Sequence, residues 1–159
     1  MNEAAKKKAL LMVPYGLQVL GAKSGEAMSL STVNWCTQCS FKPPLVAVAL
    51  KVASHTHALV KEGGAFSLSF LGTGQKDVAF SFFKHSLPEG NTMAGHAFTL
   101  SPVTASPVLQ SAPAWVECRV VGFYEHGDHS LVVGEVVEAS ANFESEPLTL
   151  KEVGAKYGG

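Results

Sequence analysis

Apolar and polar positions alternate along most of this chain, and the alternation breaks at turn residues. Residues 15–22 carry Leu17 and Val19 on one side, the period-two signature of a half-buried strand. Lys23-Ser24-Gly25-Glu26 follows as a hairpin turn, and residues 27–41 read as the returning strand. Within that return the phase slips: Met28 and Leu30 are apolar at even positions, Val33, Trp35, Cys39 and Phe41 at odd ones. Side-chain direction has period two, so the pattern predicts an inserted residue, a β-bulge, near Ser31-Thr32. Lys42-Pro43-Pro44 then turns the chain into a continuous apolar run, 45–52, that reads as a buried strand. A polar strand beside an apolar one predicts, over 31–51, a surface that both packs and binds.

Residues 3–12, rich in Ala, Lys and Leu and stopped by Pro14, predict a short helix. Ser54-His55-Thr56-His57 offers N-cap residues for a second helix that ends at Gly63-Gly64. A strand over 65–71 precedes a helix over 75–83, with Val78, Ala79, Phe82 and Phe83 on one side. Residues 84–97 have no periodicity and predict a loop able to sit over a site. Strand fragments over 98–109 are broken by Pro102 and Pro107. Long strands over 115–124 and 131–141 are joined at His126-Gly127-Asp128-His129. The tail, 146–159, predicts no further packed element. Six or seven hairpin-linked strands with a few short helices predict a mainly β fold, a closed or nearly closed antiparallel barrel. The strand–helix alternation of a doubly wound nucleotide fold is missing.

Composition narrows the function classes. A chain of 159 residues, 47% hydrophobic and 16% charged, predicts one well-packed domain over 1–159. Twelve Lys+Arg against 13 Asp+Glu give no basic excess, which argues against a nucleic-acid or membrane-surface partner. The apolar run 9–13 is shorter than the ~7–15 residues of a signal-peptide core. No run approaches the ~18 of a membrane span, so a cytoplasmic protein is expected. Three cysteines, an odd number, fit a reducing compartment better than a disulfide framework.

Several motifs compete for the chemistry. Cys36-Thr37-Gln38-Cys39 has thioredoxin-like spacing but falls within a strand, not at a helix N-terminus, so packing cysteines are expected. His55-Thr56-His57 with Glu62 resembles the first metal motif of the cupins, but the second motif is missing; no metal site is expected. Gly72-Thr73-Gly74-Gln75-Lys76 is too short for a P-loop. Ser54 and Thr56, at a helix start just after Lys51, can hold a phosphate, although ordinary N-capping needs one of them anyway. Thr32, Asn34 and Ser40 could bond the edge of a flat heterocycle with Trp35 as an apolar wall; a strand with one wet face explains them equally.

These residues resemble the flavin reductase-like FMN-binding family, which includes flavoredoxins and the reductase components of two-component monooxygenases. The likeness rests on Thr32-Val33-Asn34-Trp35, on Cys39-Ser40-Phe41-Lys42-Pro43-Pro44-Leu45-Val46, and on Ser54-His55-Thr56-His57. Phe66-Ser67-Leu68 and Gly127-Asp128-His129, leading into Val133-Gly134-Glu135-Val136, continue it. The family often has an apolar residue in place of Cys39. The resemblance implies an FMN-binding split barrel, usually a homodimer. It implies that Thr32, Val33, Asn34 and Trp35 contact the isoalloxazine, with Ser40, Leu50 and Lys51 along the flavin. Ser54, His55 and Thr56 would hold the phosphate with help from Lys84, and His129 would face the nicotinamide. Tyr157-Gly158-Gly159 resembles an aromatic closing segment. The implied activity is an NAD(P)H-dependent flavin reductase passing electrons to free flavin or another small acceptor. An electron-carrier flavoprotein without nicotinamide specificity is the alternative, and a cupin-like metal barrel a third.

Overall fold

Eleven strands and three helices make up the computed structural model, which describes residues 1–158; Gly159, and with it the end of the implied closing segment, lies outside them. In chain order they are α1 (Glu3–Leu10), β1 (Gln18–Ser24), β2 (Ala27–Val33), β3 (Cys36–Phe41), β4 (Pro44–Lys51), α2 (His55–Gly63), β5 (Ala65–Phe70) and α3 (Lys76–Ser81). There follow β6 (Pro88–Glu89), β7 (Thr92–Met93), β8 (His96–Leu100), β9 (Pro107–Leu109), β10 (Ala114–Tyr124) and β11 (His129–Ala141). Among the described residues no helix is long and apolar enough to cross a membrane.

Seven strands form one antiparallel sheet in the order β2-β1-β5-β10-β11-β4-β3. This order forces the sheet to roll. Laid flat, six spacings of ~4.8 Å would put β2 and β3 roughly 29 Å apart. Only Asn34 and Trp35 separate these two edge strands in sequence, a link that reaches about 11 Å at most. The edges therefore meet, and the Ala49 N–H donates to the Trp35 carbonyl (2.9 Å) beside the seam. The result is the expected split barrel.

The alternation of β1 serves two cores. Leu20 and Ala22 face the barrel interior with Val48, Phe66, Leu68 and Val132, and Leu59 and Val60 of α2 plug it. Val19 and Leu17 face the other way, covered by Phe82, Met93, Leu109, Leu148 and Val153. The small sheet β6-β7-β8-β9 docks on this outer face. A methyl group at Gly21 would collide with the Pro107 carbonyl, which also accepts from Ser67 Oγ (2.6 Å). Beside it the fully buried Glu117 of β10 accepts from Ser101 Oγ (2.6 Å), Thr104 Oγ1 (2.7 Å) and the N–H groups of Val103 (3.0 Å) and Thr104 (2.6 Å). Burial pushes its pKa up, but these donors outweigh burial and hold it below the ordinary carboxylate value.

Three expectations are corrected. No bulge occurs at Ser31-Thr32: β1 and β2 pair without a slip from Gln18↔Val33 to Ser24↔Ala27. The phase change is carried instead by the chain leaving one edge at Asn34-Trp35 and re-entering at the other. A register shift between Gln38 and Ser40 completes it. The 84–97 loop holds β6, β7 and the start of β8. Among its described residues the tail forms no named strand or helix, yet it is packed: Leu148 and Val153 are buried, and isolated bridges join Gly16 to Thr149 and Gly72 to Pro147.

Candidate cofactor site

At the seam, where β2 and β4 end and β11 begins, lies a cleft of about 570 Å³. That volume falls within the ~300–1,000 Å³ usual for cofactor sites. Thr32, Val33, Asn34 and Trp35 line one wall, and Leu50 and Lys51 line the adjacent one. Ser54, His55 and Thr56 close one end, and Lys84, His129 and Tyr157 complete the rim. Ser40 is not part of it. It pairs with Leu45, whereas the cleft is reached at Leu50 and Lys51. Five residues of β4 put Ser40 roughly 17 Å away along the strand. His85, Phe82, Phe83 and Lys156 also line the cleft and carried no motif of their own. Their one signal was position, in or beside a loop next to Lys84 and in the tail.

Two residues that line this cleft carry buried donors with no partner among the described residues. The Asn34 amide nitrogen and the Trp35 indole N–H make no hydrogen bond, although Asn34 is only 8% exposed. Buried donors are ordinarily paired, so each is left able to bond an acceptor that the chain does not supply. A flat ring with carbonyl and ring-nitrogen acceptors along one edge satisfies both, and Trp35 offers it an apolar face. Thr32 differs from the expectation of a free polar contact. Its hydroxyl donates to the Ala79 carbonyl (2.6 Å) and its N–H to the Phe82 carbonyl (3.1 Å). Thr32 thus ties β2 to Ala79 and Phe82 at the end of α3, and only its oxygen lone pairs remain for a ligand.

The opposite end suits an anion. Ser54 Oγ accepts from the His57 N–H (3.1 Å), an ordinary N-cap, which leaves its own proton free to donate. The N–H groups of His55 and Thr56, in the first turn of α2, have no helical acceptor within reach. Thr56 Oγ1 itself is tied to Ser29 (2.8 Å) and Ser31 (2.6 Å) and is buried, so its hydroxyl anchors α2 to β2. Lys51 and Lys84 bring positive charge, and the rings of His55 and His85 meet edge-on at 4.7 Å. His57 turns away. Its Nε2 bonds Ser130 Oγ (2.7 Å) in a buried pair that ties α2 to β11. The H-x-H motif therefore does not converge, and among the described residues no three His, Cys, Asp or Glu side chains gather as a metal site would require.

His129 stands where β11 begins, paired across the ladder with Lys51. Its Nδ1 bonds Asp128 Oδ1 (2.9 Å) and its Nε2 bonds the Tyr157 hydroxyl (2.9 Å). Trp35 lies 4.8 Å from the His129 ring and 5.2 Å from Tyr157. The hydrogen bond from His129 holds the Asp128 carboxyl below its ordinary pKa. The cysteines divide. Burial, aided by Cys39, pushes Cys36 up to about 11; burial, with Cys36 and Glu117, pushes Cys118 up to about 12. Both stay protonated thiols and pack. Cys39 departs from the packing expectation: it is exposed, at the register shift on the sheet's edge.

The chain belongs to the flavin reductase like domain family, whose model matches residues 10–157. It is 32% identical over 155 residues to the NADH-dependent flavin reductase StyB of Pseudomonas fluorescens, covering 96% of this chain and 87% of that one. The solved styrene monooxygenase flavin reductase of Pseudomonas putida S12 superposes with a TM-score of 0.77 at 32% identity, over 94% of this chain and 91% of that one. Diflavin flavoprotein A 1 of Synechocystis sp. is 29% identical over 130 residues, 82% of this chain but only 23% of the larger protein.

Proposed function

We propose that this chain is an FMN-dependent NAD(P)H oxidoreductase that reduces free flavin or another small acceptor. The observation that carries the proposal is that one cleft is lined by Asn34 and Trp35, whose buried donors have no partner among the described residues, and by the start of α2, whose free N–H groups suit an anion. Membership of the flavin reductase family and the StyB likeness support it. FMN has the matching shape: a flat ring with an acceptor edge, joined to a phosphate. Bound there it would supply a ring that accepts hydride at N5 and passes electrons on singly or in pairs.

The roles of the chain's own residues follow. Asn34 Nδ2 and the Trp35 indole N–H would donate to the acceptor edge, and Val33, Leu50 and the Trp35 ring would exclude water from the ring. The Ser54 hydroxyl, the N–H groups of His55 and Thr56, and the ammonium groups of Lys51 and Lys84 would hold the phosphate. His129 would meet the carboxamide of NAD(P)H and orient the nicotinamide. The chain would act in the cytoplasm as a homodimer. Supporting the dimer, α1 buries none of its residues, and Leu10, Met12 and Val13 beside it are exposed. A helix of eight residues is not stable in water on its own account.

Rapid anaerobic mixing of the FMN-loaded protein with NADH and with NADPH tests the activity. Loss of the visible flavin band within seconds is expected with at least one of them. Tight FMN binding without bleaching by either would replace the reductase by an electron-carrier flavoprotein.

A further inference from the structure

The Asp128–His129–Tyr157 chain of hydrogen bonds reaches beyond a simple nicotinamide contact. A carboxylate only accepts, so the bond to Asp128 Oδ1 places a proton on His129 Nδ1. In the neutral ring this leaves Nε2 as an acceptor, and the Tyr157 hydroxyl donates to it. An amide N–H places the same demand on Nε2. The Tyr157 ring also stands 5.2 Å from Trp35, which borders the cleft.

The last described residues hold this arrangement from a second direction. Gly158 has φ +115°, a conformation that disfavours any side chain, and a Cβ there would lie 3.3 Å from Trp35 Cζ2. The tail thus lies flat against the indole because this residue is glycine. Leu150, Ala155, Lys156 and Tyr157 form a wall shared by the cofactor cleft and a second groove of about 590 Å³ on its far side, bordered by residues 11–16. Space therefore exists on both sides of the strap. Tyr157 is 46% exposed, so its side chain is not locked into a core.

We infer that Tyr157 is a strap that holds the place of the nicotinamide carboxamide on His129, and that Asp128 is the positioning residue that makes His129 Nε2 the shared acceptor. This inference rests on the reading of the cleft as a flavin and nicotinamide site. When the dinucleotide enters, its amide N–H replaces the Tyr157 O–H on Nε2, and the strap swings away. One hydrogen bond is exchanged for another, so the Tyr157 hydroxyl competes with the dinucleotide for Nε2 while the exposed strap leaves its path open.

The test uses full-length Tyr157→Phe, which keeps the ring and removes the hydroxyl, and Gly158→Ala, which lifts the strap through the backbone. Two readouts are taken. In FMN-free protein with Trp115→Phe, Trp35 is the only tryptophan, and acrylamide quenching of its fluorescence reports the strap directly. Both changes are expected to raise the quenching constant. In FMN-loaded protein, loss of the competing hydrogen bond is expected to lower KM for the reducing nicotinamide by roughly three- to tenfold, while kcat holds. Asp128→Asn, whose amide can donate to Nδ1 and turn Nε2 into a donor, is expected to raise KM. A KM that stays or rises in Tyr157→Phe, with quenching unchanged, would overturn the strap while leaving the flavin site standing. Failure of the unaltered protein to bind FMN would instead remove the reading beneath it.

Discussion

At Asn34, which lines the cleft, a buried amide donor has nothing to bond among the described residues. Asn34→Ala removes that donor without disturbing another contact, so the fold should survive and FMN affinity should fall by roughly tenfold, the worth of one hydrogen bond of about 1–1.5 kcal/mol. A fluorescence titration with FMN checks it. Glu117 is the contrasting case, a buried carboxylate that serves the fold. Its pKa is lowered on folding, so its stabilisation is complete above the unfolded carboxylate value near ~4.3 and drains away as pH falls through the lower folded value. Melting temperature should therefore drop on acidification below about pH 4, and Glu117→Ala, which orphans the Val103 and Thr104 N–H groups, should cost about 1–3 kcal/mol at neutral pH in a denaturant melt. Sequence exposed residue types but not their partners. Thr32 and Thr56 read as ligand contacts, yet their hydroxyls are engaged by Ala79, Ser29 and Ser31, from elements remote in the chain. Ser40 sits at the wrong end of its strand because a resemblance matches order, not distance from the cleft.

At the scale of elements, α2 was the most legible. Ser54 is its N-cap and Gly64 its left-handed C-cap at φ +67°, as punctuation alone indicates. Its N-terminus should read phosphate and nothing else. Ser54→Ala is expected to weaken FMN roughly three- to tenfold while riboflavin, which lacks the phosphate, binds as before; equal losses for both would place the phosphate elsewhere. FMN affinity should also decline as salt rises, since Lys51 is exposed and its pull on the anion is screened. Less legible was the 27–41 stretch. A slip in period two says that the phase changes, and both an inserted residue and a change of strand satisfy it. The chain takes the second route at Asn34-Trp35, and that break is what brings these two residues to the cleft.

For the molecule as a whole, the barrel class was readable from hairpin spacing, but the roll and the seam follow from long-range pairing that no local pattern encodes. Consecutive strands at opposite edges of one sheet make the seam, and the seam makes the site. The tail was misjudged because it packs through single side chains, Leu148 and Val153, without regular periodicity. A homodimer covering α1 predicts twice the chain mass by sedimentation, falling towards the monomer when Met12 and Val13 are both replaced by Asp. The central claim, that the seam cleft is an FMN site, is tested most directly by an FMN titration of the purified chain followed in the visible spectrum and, in its Trp115→Phe form, by Trp35 fluorescence. One FMN per chain, with a shifted flavin band and quenched Trp35 emission, is predicted. A flavin spectrum that stays that of free FMN at saturating protein, with Trp35 emission unchanged, would contradict it.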